Sequence, residues 1–100
     1  MPQSQIIHHQ TQTCVRIAAD TRPGQAAAAI KHHLLDRGSV TVSAIGIKAI
    51  GAATRAISLA GLYLHEEGHS NILADIRGER LPIGHGDNLL IINWHCHLDR

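Results

Sequence analysis

The spacing of apolar residues along this chain switches between two periods, and each switch marks an element. In residues 13–19, TCVRIAA, Val15 and Ile17 fall on one side and Cys14 and Arg16 on the other. A period of two predicts a strand with one buried face. The break DTRPGQ follows, and Pro23 suits the first turn of a helix, where a missing N–H costs nothing. From there GQAAAAIKHHLLDR puts Ala26, Ala27, Ile30 and Leu34 on one helical face. Gly38 stands where a left-handed cap would end that helix.

Alternation returns in residues 39–45, SVTVSAI, with Val40, Val42 and Ala44 against Thr41 and Ser43, a second half-buried strand. A second helix is predicted over 47–64, with Ile50, Ala53, Ile57, Ala60 and Leu64 as its core face. HSNILADIR and NLLIINWHC predict two further strands, joined by GERLPIGHGDN as a long hairpin connection. The unbroken apolar run 89–92 suggests a strand with neighbours on both sides. The order βαβαββ predicts an α/β fold of the two-layer α+β kind: a four-stranded mixed sheet, its first two strands parallel, with both helices packed on one face.

A chain of 100 residues supports one core, assigned to 13–100, with residues 1–12 as a flexible polar arm. Phe is absent, so Ile, Leu, Val and Ala must build the core. Nine Lys and Arg against eight Asp and Glu leave a formal charge of +1, so no strong overall field draws the protein to nucleic acid or membrane. Electrostatic binding must then be local or multiplied by oligomerisation. Cys14 and Cys96 are expected to be free, buried thiols. The first twelve residues lack the basic and apolar regions of a secretory leader, and no run approaches membrane-spanning length. A cytoplasmic protein without a membrane partner is expected.

Gly46 and Gly51 stand five apart around Lys48, which raises the question of a phosphate loop. Such a loop needs Lys and then Ser or Thr directly after the second glycine, and here Ala52 and Ala53 stand there. WHCH would put His95 and His97 on one side of a strand and Cys96 on the other. Two ligands do not make a zinc site, which normally needs four, so neither metal nor cofactor is expected. No Ser, Cys or Lys lies in an activating sequence context, and Glu66 and Glu67 point apart at a helix end, so no enzyme is expected.

Two segments, CVRIAADTRPGQAAAAIKHHLLDRG and VTVSAIGIKAIGAATRAISLAGLYL, resemble the stage V sporulation protein S family, within the Alba-like group of small nucleic-acid-associated proteins. AIGIKAIGAATRAISLA corresponds to that family's A-I-G turn and second helix, with Arg55 as the basic residue in its middle. The resemblance implies an Alba-like fold, with Gly46 as a strand-to-helix corner and Gly51 as a small residue at a helix contact. Asp20 occupies the loop position where the family usually carries lysine, and Arg22 is the nearby substitute.

Lys48, Gly51, Ala52, Arg55, Leu59 and Leu62 share the outward face of the second helix. That face is too apolar for a purely solvated surface, so Gly51, Ala52, Leu59 and Leu62 are the expected oligomer contact. Arg22, Lys48, Arg55, Arg77 and Arg80 are the expected phosphate contacts, the last two on a hairpin that in Alba-like proteins resembles an arm reaching along a duplex. The function expected is a non-enzymatic regulator that binds DNA or RNA backbone as a homodimer or higher oligomer. The alternative is an oligomeric protein-interaction module that keeps the fold, has lost nucleic-acid binding and works through a protein partner.

Overall fold

The computed structural model describes residues 14–99, so the arm expected at 1–12 lies outside the described residues. Strand β1 (Cys14–Ile17) is followed by helix α1 (Pro23–Arg37), strand β2 (Ser39–Ile45), helix α2 (Ile47–Glu66) and the strands β3 (Ile72–Gly84) and β4 (Asp87–Leu98). The sheet order is β1-β2-β4-β3, with β1 and β2 parallel and the other pairs antiparallel. This is the mixed sheet with two helices that the sequence pattern implies.

Alternation decides which sheet face the helices cover. Ile17, Val40, Val42, Ala44, Trp94 and Cys96 are buried under them, while Arg16, Thr41, Ser43, His95 and His97 look out from the open face. In α1 the buried residues are Ala26, Ala27, Ile30 and Leu34, as its spacing predicts, and Gly38 closes it at φ 84° with its N–H on Leu34 O at 2.9 Å. At the start of α2 the chain turns through Gly46 at φ 89°, a conformation that costs glycine little. The Gly46 N–H donates to Leu90 O at 2.8 Å, which ties this corner to β4.

The core face of α2 departs from the expected one. Ala49, Ala53, Ala56, Ala60 and Leu64 are buried, whereas Ile50 and Ile57 are only half-buried at the edge of the stripe. Small side chains at the centre let α2 sit close to α1 and the sheet, and the branched residues fill the widening gap on either side. At 20 residues α2 is also long and apolar enough to cross a membrane, which corrects the expectation that no segment approaches that length. In this fold one stripe of the helix, Ala49, Ala53, Ala56, Ala60 and Leu64, is buried against the core, and the rest of its circumference is not.

The long connection expected between β3 and β4 is also corrected. Both strands run through it, leaving only His85 and Gly86 as the turn. Their φ values of 53° and 79° are those of a two-residue turn with both central residues left-handed, whose twist matches the flanking strands. Pro82 is tolerated because β3 is an edge strand, and the register shifts between Pro82 and Gly84. The resulting ribbon runs past the helices, and residues 73–90 are all exposed.

Both cysteines are free, but only Cys96 is buried, because Cys14 points to the open face of edge strand β1. Burial pushes the Cys96 thiol up to about 11, and its S–H donates to Trp94 O at 3.8 Å. In the native protein at pH 8 an aromatic disulfide reagent should therefore modify Cys14 promptly and Cys96 only after denaturant is added. Equally fast release from both thiols in the native state would contradict this packing. Leu64→Ala, which empties a fully buried position, should lower unfolding free energy by about 2–5 kcal/mol in a urea titration.

Candidate nucleic-acid interface

The loop between β1 and α1 is braced by a pair of hydrogen bonds. The Thr21 N–H donates to Ala18 O at 3.1 Å and the Ala18 N–H to Thr21 Oγ1 at 2.8 Å. That turn holds Asp20 exposed at its tip and delivers Arg22 as the residue capping α1, where the free N–H groups of the first helical turn also favour anions. Pro23 fixes the entry into the helix.

Facing this loop is the outward side of α2. A cleft of about 470 Å³ between them is lined by Ala19, Thr21, Pro23, Gly51, Ala52 and Arg55. Two residues expected at an oligomer contact thus share a cleft with Arg55 and with the loop that carries Arg22. Gly51 makes no helix contact within the chain: a Cβ built there would meet nothing within 4 Å. Thr54 and Ser58 turn their hydroxyls back to Ile50 O and Thr54 O, each at 2.9 Å, so the helix itself occupies these donors. Lys48 is exposed at the first turn of α2.

Further along α2, Leu62 is 50% exposed, whereas Leu59 is half-buried against the core. The helices stop short of β3, and on the helix side of that strand Ile76 is 63% exposed and Leu90 of β4 44% exposed. A Cβ added at Gly61 would lie 3.8 Å from Ile72 Cδ1, so α2 meets the start of β3 there.

The two hairpin arginines part company. Arg77 pairs with Asn93 on the open face, and Arg80 pairs with Leu90 on the helix side. On the open face Arg77 completes a row, Arg16–Ser43–Asn93–Arg77, that crosses all four strands. Strand spacing puts the outer two about 14 Å apart. Sequence reasoning missed Arg16. Its signal was the alternation that puts it opposite Val15 and Ile17, but only the strand register aligns it with Arg77. The next row carries Asp75 and His95, and His95 Nδ1 lies 3.0 Å from Thr41 Oγ1. Among the described residues, no three His, Cys, Asp or Glu side chains gather as a metal site would require.

With this geometry in hand, comparisons with known proteins place the chain. A search of the curated proteins returned no match. Among solved structures, Alba from Thermoplasma volcanium superposes with a TM-score of 0.56 over 83% of this chain and 99% of its own, at 15% identity, a likeness of fold alone. The sequence profile for stage V sporulation protein S (SpoVS) matches residues 13–74, a span that includes β1, both helices, β2 and the start of β3. From the braced first loop to the glycine corner and alanine-faced second helix, the chain belongs to the stage V sporulation protein S family.

Proposed function

We propose that this protein is a non-enzymatic, cytoplasmic regulator that binds the backbone of DNA or RNA as a homodimer. The observation that carries the reading is the cleft between the first loop and α2, whose rim brings Arg55 beside the loop that holds Arg22. Among the described residues no carboxylate lines that cleft. Lys48, one turn before the cleft residue Ala52, adds a third cation on the same helix. Guanidinium groups suit phosphate because their planar forks donate two parallel hydrogen bonds. Contacts of this kind fix position and carry no base identity.

A dimer is supported by the exposed apolar side chains Leu62, Ile76 and Leu90, which a second copy could remove from water. Pairing would also double the cations available to one ligand, which matters for a chain with a net charge of only +1. A second reading, a protein-interaction module, is favoured by one observation. Asp20 is exposed at the tip of the very loop that would face phosphate.

Titrations against duplex DNA, single-stranded DNA and RNA over a range of salt separate the two. Phosphate contacts make log affinity fall with log salt, and Arg22→Ala or Arg55→Ala should each reduce that slope by about 1, whatever the sequence. Asp20→Lys should tighten binding. A wild type that binds none of the three at low salt leaves the interaction module standing. Separately, Leu62→Glu should convert a dimer to a folded monomer by light scattering with unchanged circular dichroism; a wild type that is monomeric at high concentration would remove the dimer from the account.

A further inference from the structure

A second cleft, also about 470 Å³, opens on the other side of the first loop, at the carboxyl ends of the parallel strands β1 and β2. Its size falls within the roughly 300–1,000 Å³ of small-molecule sites, and the carboxyl ends of parallel strands are where open α/β sheets leave such a crevice. The walls are mostly apolar: Ala44 and Ile45 of β2, Ala49 of α2 and Ile91 of β4. Ile45 is 46% exposed.

Two polar side chains interrupt these walls, Arg16 and Ser43, neighbours in the β1–β2 ladder. Neither has a hydrogen-bond or ion-pair partner among the described residues. Among the described residues no carboxylate lines the cleft, the nearest in sequence being Asp20, one residue past Ala19. An unpaired guanidinium and hydroxyl side by side above apolar walls are complementary to an anionic head joined to an apolar body.

We infer that this cleft binds a small organic anion, its carboxylate or phosphate on Arg16 and Ser43 and its apolar body against Ile45 and Ile91, which share their sheet face. The site lies apart from the cleft that Arg55 lines and stands whether or not the protein binds nucleic acid.

The test uses the whole chain labelled with ¹⁵N and titrated with 1-naphthoate, 1-naphthyl phosphate, 2-naphthol and inorganic phosphate. Both aromatic anions should shift the amides of Ala18, Ser43, Ile45 and Ala49 saturably, and the stronger of the two identifies the head group. Neutral 2-naphthol and bare phosphate should each bind at least about tenfold more weakly, because each lacks one half of the complementarity. Arg16→Gln should weaken both anions by about tenfold or more, the usual loss for one charge-assisted hydrogen bond. Ile45→Asp should do the same by setting a carboxylate on an exposed wall, whereas Arg37→Gln, at the opposite end of the sheet, should change nothing. Unlocalised shifts, equal binding of 2-naphthol, or undiminished binding by both Arg16→Gln and Ile45→Asp would overturn the inference.

Discussion

The fold depends on how closely α2 can lie against its neighbours, and that distance is set by alanine. Ala49, Ala53, Ala56 and Ala60 give the helix a smooth inner face, with Leu64 as the one large anchor at its end. A bulkier stripe would hold the helix off the sheet and open voids beside Ala27 and Val42, both completely buried. A chain with no Phe and one Trp has little large apolar volume with which to fill such gaps. The close seat of α2 also fixes what faces outward. Arg55 is turned to the first loop, and Leu62 to the exposed side of the helix.

Local patterns made most of this fold legible. The alternation of β1 and β2, the buried face of α1, the Gly38 cap and the Gly46 corner each depend on residues within a few positions of one another. The second helix misled because it is apolar on much of its circumference, so Ile50 and Ile57 fit the period as well as Ala49 and Ala56 do. Ala53, Ala60 and Leu64 are buried as expected, and preferring large residues misplaced the other two core positions by one residue. The ribbon was illegible for a different reason. Pro82, Gly84 and Gly86 are ordinary signals of a loop, and only pairing with β4 shows that an edge strand accommodates them. Cys14 was misassigned because alternation assigns a face without telling whether anything covers it.

The candidate site was legible as a set of arginines and illegible as a geometry. Arg55 is far in sequence from the first loop yet shares a cleft with Ala19, Thr21 and Pro23 of the segment that carries Arg22, because the strand order puts β1 beside β2. Arg77 and Arg80 are close in sequence and face opposite ways because an odd spacing along a strand reverses the face. Proximity along the chain is thus a poor guide to which cations can share a ligand here. The braced turn at Ala18–Thr21 further separates two clefts of different character, one rimmed by Arg55 and small residues, the other apolar and headed by Arg16.

The central claim is that Arg22 and Arg55 act as one phosphate-binding pair, and arginine side-chain Nε–Hε resonances report on each residue in a single spectrum. On adding duplex DNA or RNA at low salt, the account predicts that the Arg22 and Arg55 signals shift together, with a common midpoint, while Arg37 at the far end of α1 stays in place. Signals from Arg22 and Arg55 that remain unmoved while other arginines shift, or that move with different midpoints, would contradict it.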